Sequence, residues 1–167
     1  MSEEASPSQS RVGWGFDAHA LDGDPPLVLG GVVVSDTEGV RATSDGDLVA
    51  HALTDAVLGA AALADIGEHF PSDHPSSQGA DSLRLLSDAV GMAARSGWLV
   101  THADVTVVAE SIRIWPHRDS MRARLAETLG VGKEVVSVKA TTTDGLGFIG
   151  RGEGMAAVAV VTMAPRP

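Results

Sequence analysis

The sequence contains no cysteine. That absence excludes a disulfide framework, a thiolate zinc site and a cysteine nucleophile, and leaves histidines and carboxylates as the side chains able to hold a metal. Basic residues are scarce as well: 12 Lys and Arg stand against 22 Asp and Glu, a formal net charge of -10. Sequence-independent nucleic-acid binding needs clustered cations to displace phosphate counterions, so this balance argues against it. It does not exclude a phosphorylated small substrate, because a bound divalent cation can invert the local electrostatics of an acidic site. Long apolar runs are missing, and nothing approaches the roughly 18 consecutive apolar residues of a membrane span. Residues 1–10, MSEEASPSQS, have neither the basic start nor the apolar core of a signal peptide and read as a disordered tail. The expectation is a soluble, cytoplasmic chain with no membrane or nucleic-acid partner.

What is present is ordinary globular usage, 44% apolar and 20% charged over 167 residues, a length suited to one domain over residues 11–167. Residues 11–19 and 27–34 read as strands around the DGDPP turn, and a helix follows from Ser44 or Asp45 with its stop at Gly67. A second helix is expected over about 81–95, closed by Gly97, then a strand over 98–110. Pro116 can open a third helix over about 117–129, after which VVSVKATTT and MAAVAVVTM read as strands around a Gly-rich loop. The last strand is apolar enough to suggest burial on both sides. This order points to an α/β (α+β) sandwich: one mixed four-stranded sheet with helices on one face, plus a small N-terminal hairpin. The other face needs a partner subunit to remove its Ala/Val-rich surface from water.

Strand alternation puts Asp17 and His19 on one face, where both can point at one ion. Alone, a D-x-H pair occurs by chance on many surfaces. His51 lies on the first helix with Asp47 and Asp55 four residues to either side, a stripe that is either solvated or supports a metal-bound imidazole through a neighbouring carboxylate. Together Asp17, His19 and His51 would make a three-ligand site with a position left open, the stoichiometry of a catalytic zinc. Thr141, Thr142, Thr143 and Asp144 end a strand as either a plain turn or a phosphate and magnesium contact. Arg151 and Glu153, set among glycines, read as a surface ion pair or as backbone that a ligand can approach. His69, His74, His102 and His117 read as surface or structural residues.

The segments GWGFDAH, LGGVVV, SDGDLVAHALTDAVLGAAALADIG and KATTTDGLGFIGRGEG, in this order and spacing, resemble the 2-C-methyl-D-erythritol 2,4-cyclodiphosphate synthase family over about residues 11–163. Each motif alone is weak; the set is specific. The resemblance implies a homotrimer with active sites between adjacent subunits. It implies Zn2+, or Mn2+ or Co2+ in its stead, on Asp17, His19 and His51, and Mg2+ or Mn2+ on Asp144 at a diphosphate. Ser44, Asp65, Ile66 and Gly67 would bind the ribose or erythritol part of a cytidine diphosphate substrate. Ala109, Ser111, Ile112, Arg113, Ile114 and Trp115 would wrap the cytosine. Thr141, Thr142 and Thr143 would meet phosphate, with Thr142, Thr43 and Asp144 in catalytic roles. Phe16, Arg151 and Glu153 would line a cavity on the trimer axis that takes an isoprenoid diphosphate.

The implied reaction converts 4-diphosphocytidyl-2-C-methyl-D-erythritol 2-phosphate to the 2,4-cyclodiphosphate with release of CMP, in non-mevalonate isoprenoid biosynthesis. Several positions depart from the family pattern. Thr43 stands where the family usually has His, Ile112 and Arg113 replace the usual Pro and Lys, PSDHP replaces a more acidic segment, and Ile149 replaces Thr. Two other readings follow from these departures: a metal-dependent hydrolase or lyase of another nucleotide diphosphate, and a non-catalytic trimer that binds zinc and isoprenoid diphosphate.

Overall fold

In β1 (Arg11–Ala20), Gly13 and Gly15 alternate with Trp14 and Phe16, so one side of the strand is bare and the other carries large rings. The bare side admits a helix at backbone distance. α1 (Leu48–Ala61) lies there so closely that a methyl at Gly13 would fall 1.8 Å from the Ala56 carbonyl oxygen, and one at Gly15 would fall 1.9 Å from that of Ala52. The computed structural model describes residues 10–75 and 78–167. Apart from Ser10, the tail expected over 1–10 lies outside them.

α1 starts later and stops earlier than its periodicity suggests. Gly46 takes a positive φ of 75°, and the Asp47 side chain accepts from the Ala50 N–H as the cap. Ala62 then turns left-handed at φ 58°, and Asp65 caps a separate single turn, α2 (Ile66–His69). The stretch 27–34, expected as one strand, is a hairpin of β2 (Leu27–Leu29) and β3 (Val32–Ser35). Gly30 and Gly31 both have positive φ, the pair of conformations that a two-residue hairpin turn demands.

α3 (Ser82–Arg95) is capped by Asp81, and α4 (Arg118–Leu129) ends on left-handed Gly130. With β4 (Trp98–Val108), β5 (Val136–Thr141) and β6 (Gly154–Pro165), β1 forms a four-stranded sheet in the order β1-β6-β4-β5. β4 and β5 run parallel, whereas β6 is antiparallel to both its neighbours, so β1, β4 and β5 share one direction. The sheet is thus mixed, as the sequence suggests. β6 is apolar because it is a central strand. Within one chain Ala157, Ala159 and Val161 are fully buried against the helices, while Val158 and Val160 are half-buried on the opposite face. A single cluster joins the inner face of the sheet to Leu53, Val57, Leu86, Met121 and Leu125 of the helices.

Candidate metal centre

The contact between α1 and β1 sets the site. Asp17 and His19 face the helix near the end of β1, and His51 sits one turn into α1. One ligand atom from each of the three lies within 4.8 Å of the others, and all three residues are half-buried. Asp17 Oδ2 is 3.0 Å from His19 Nε2 and 2.9 Å from His51 Nδ1. The far nitrogen of His19, Nδ1, lies 3.1 Å from the Arg41 carbonyl oxygen, which orients the ring. His19 Nε2 is buried yet lacks hydrogen-bond geometry to any partner despite its approach to Asp17. An orphaned imidazole nitrogen beside a carboxylate and a second imidazole fits a borderline divalent cation such as zinc.

Electrostatics prepare the same trio. Burial works to raise the Asp17 carboxyl, but the two imidazoles beside it outweigh burial and hold it at about 2. It is a carboxylate at any physiological pH. The Asp17 carboxylate is the main cause that lifts His19 above its ordinary value.

Neither Asp47 nor Asp55 supports the His51 ring, as their helical spacing suggested, and that expectation is corrected. Asp47 is fully buried, accepting from Gly30 N–H at 2.9 Å, Gly31 N–H at 2.7 Å and Ala50 N–H at 3.1 Å. It joins the hairpin turn to the helix start, and burial pushes its carboxyl up to about 6 against those three bonds. Asp55 accepts from Ile66 N–H at 2.8 Å and so fixes α2. The second nitrogen of His51, Nε2, instead meets the hydroxyls of Ser82 at 2.9 Å and Ser44 at 3.1 Å. Sequence reasoning missed Ser82, which is 31 positions from His51. Its one local signal is the AD-S helix start at Asp81.

A cavity of about 220 Å³ beside the trio is lined by His19, Thr43, Ser44, His51, Ile66 and Gly67, among others. Asp65, also expected there, caps α2 through Glu68 N–H at 3.0 Å. The other expected residues form a second group at the ends of β4 and β5, where Ala109 N–H donates to the Thr141 carbonyl at 3.0 Å. In that group Thr142 Oγ1 donates to Asp144 Oδ1 at 3.1 Å, and Thr143 N–H donates to Glu110 at 3.3 Å. Ser111, Arg113 and Trp115 are exposed, but Ile112 and Ile114 are buried and offer only their backbone to a ligand. The two groups are separated across the sheet, β4 lying two strand spacings from β1 and β5 three, about 10–14 Å. Phe16 stacks on Trp14 and stands opposite Val158 in the sheet, while Arg151 makes an exposed two-point pair with Glu153 at 2.7 and 3.0 Å, so one chain does not bring the ring and the ion pair together. Ile149 is buried. His69 is not free at the surface, since its Nε2 lies 2.6 Å from the Leu63 carbonyl oxygen.

Fold and site together define an α/β protein with a two-histidine, one-carboxylate candidate metal centre between a strand and a helix. Residues 10–164 match the YgbB family. The chain is 50% identical over 153 residues to the 2-C-methyl-D-erythritol 2,4-cyclodiphosphate synthase of Erwinia tasmaniensis, covering 92% of this chain and 98% of that one. The structure of the bifunctional IspDF from Campylobacter jejuni superposes with a TM-score of 0.92 at 40% identity, covering 95% of this chain and 43% of that one. The CDP complex of IspF from Plasmodium falciparum superposes at 0.82 with 28% identity, covering 97% of this chain and all of that one. The chain belongs to the YgbB family of cyclodiphosphate synthases.

Proposed function

We infer that the protein converts 4-diphosphocytidyl-2-C-methyl-D-erythritol 2-phosphate to 2-C-methyl-D-erythritol 2,4-cyclodiphosphate, releasing CMP, in the non-mevalonate route to isoprenoids. The observation that carries this reading is the convergence of Asp17, His19 and His51 beside a cavity, in a chain half identical to a synthase of that name along nearly its whole length. In the reaction an oxygen of the substrate's 2-phosphate bonds to the β-phosphorus, and the bond from that phosphorus to the CMP oxygen breaks. The substrate supplies its own nucleophile. The chain's part is to fold the substrate so that the two groups meet, and to hold the charge of the phosphates.

Asp17, His19 and His51 would hold Zn2+ or a similar transition-metal ion, and Asp144 would meet Mg2+ or Mn2+ at the diphosphate. Divalent cations there would supply Lewis-acid charge to the transferring phosphoryl group. Thr43 and Ser44 line the cavity and would donate to phosphate oxygens, while Ile66 and Gly67 would border the sugar. Thr141, Thr142 and Thr143 would donate to the diphosphate, and the backbone from Ala109 to Trp115 would wrap the cytosine. The CDP held by the Plasmodium falciparum relative supports a cytidine nucleotide as ligand.

A homotrimer is part of this reading. The separation of two to three strands within one chain calls for the β4–β5 group of one subunit to complete the Asp17 cavity of the next. The sheet face away from α1 supports it: Val12, Trp14 and Phe16 are 66%, 62% and 48% exposed beside half-buried Val158 and Val160. Phe16, Arg151 and Glu153 would then face the trimer axis, where an isoprenoid diphosphate could place its tail on the ring and its phosphates on the guanidinium. Residues 11–167 would act as a single domain, in the cytoplasm; among the described residues no helix is long and apolar enough to cross a membrane.

Phosphorus NMR of the products tests the reaction. Equal amounts of CMP and the cyclic diphosphate are expected; CMP with an acyclic product would identify a hydrolase instead.

A further inference from the structure

Ser82 is fully buried at the first position of α3, outside the residues that face substrate or metal. Its hydroxyl oxygen lies between two groups: it donates to Asp45 Oδ1, and it stands 2.9 Å from His51 Nε2. A serine hydroxyl has one proton to give. With that proton committed to the Asp45 carboxylate, the approach to Nε2 is a hydrogen bond only if Nε2 carries the proton and the serine oxygen accepts it. Were Nε2 bare, one of the two contacts would set lone pair against lone pair. Ser44 Oγ, at 3.1 Å, is a second acceptor for the same N–H. Nδ1 lies 2.9 Å from Asp17 Oδ2, a contact that calls for a proton on Nδ1 while no cation is present; with Nε2 keeping its proton, a cation held by Nδ1 and the carboxylate would take that proton's place. Asp45 is held in turn: its carboxylate also accepts from Ser82 N–H at 3.1 Å and Asp47 N–H at 3.2 Å.

We propose that Ser82, backed by Asp45, is a positioning residue that fixes the Nε2–H tautomer and the ring orientation of His51, presenting Nδ1 to the cation. The arrangement is a carboxylate–histidine pair with a buried hydroxyl interposed, and such outer partners orient the ring and raise the basicity of the ligating nitrogen. This rests on Asp17, His19 and His51 being the metal site, and the test separates the two claims. Chelator competition measures zinc affinity in the full-length protein and in Ser82→Ala, Asp45→Asn, the double variant and His51→Ala. Loss of zinc in His51→Ala upholds the site, and retention there would overturn both claims. Ser82→Ala is expected to weaken zinc by about 10- to 100-fold. The double variant is expected to lose no more than Ser82→Ala alone, because Asp45 acts through the hydroxyl. Unchanged affinity in Ser82→Ala, with zinc lost in His51→Ala, would overturn this inference and leave the site standing. Should Ser82→Ala fail to fold, nitrogen-15 spectra of the zinc-loaded wild-type protein decide: His51 bound through Nδ1 with a slowly exchanging Nε2–H is expected, and binding through Nε2 overturns the proposal.

Discussion

At the scale of single residues, Thr43 is the most consequential of the departures that the family resemblance implies. It is exposed and lines the cavity with His19, Ser44 and His51, so its side chain is within the space proposed for the phosphates. An imidazolium there would add a charge-assisted hydrogen bond to developing negative charge, whereas a threonine hydroxyl supplies a neutral one of about half the strength. Loss of such a donor costs roughly 2.7–4 kcal/mol at the chemical step, with the retained hydroxyl softening it. Thr43→His is therefore expected to raise single-turnover CMP release without changing zinc content, and Thr43→Val to lower it; unchanged rates in both would remove position 43 from the phosphates. The D-x-H pair was legible in the sequence because strand alternation is strictly periodic. The partners of His51 were not, because helical spacing names neighbours on one face but not which way a carboxylate turns. Asp47 turned to cap its own helix, and the place expected for it went to a serine from another helix.

Among the elements, α1 and β1 matter most, since their backbone-to-backbone contact brings His51 to Asp17. Gly15→Ala would thrust a methyl at the Ala52 carbonyl oxygen, and Ala52 adjoins His51. Overpacking of this kind costs about 3 kcal/mol or more when backbone must yield. Chemical denaturation is expected to show that loss, and metal analysis a fall in bound zinc, because the helix must move away from the strand that carries the other two ligands. A variant as stable and as rich in zinc as the wild type would show that the contact is slack. The existence and order of the longer helices and strands were readable from periodicity and caps. Where the reading slipped, left-handed residues were responsible: Gly30 and Gly31 folded one expected strand into a hairpin, and Ala62 ended α1 early although alanine gives no warning of that conformation.

For the whole molecule, the central fact is that one chain sets its candidate residues two to three strands apart across a sheet. Strand order could not be read from the sequence, because β1 pairs with β6 across the full length of the chain and only tertiary packing selects that partner. In the proposed trimer the exposed rings of Trp14 and Phe16 would be covered by a neighbouring subunit. Light scattering of the dilute protein is expected to give about three times 17.1 kDa. Trp14→Glu, placing a charge on that face, is expected to lower the mass and the activity together. An active monomer would contradict the shared site.

If Asp17, His19 and His51 form the metal centre on which cyclisation depends, a zinc titration of the metal-stripped protein in constant magnesium will show it. Single-turnover release of CMP with the cyclic diphosphate is expected to rise in proportion to zinc and to level off at about one ion per chain, and His51→Ala is expected to show neither the binding nor the rise. A full rate in the stripped protein, or an unchanged titration in His51→Ala, would contradict the claim.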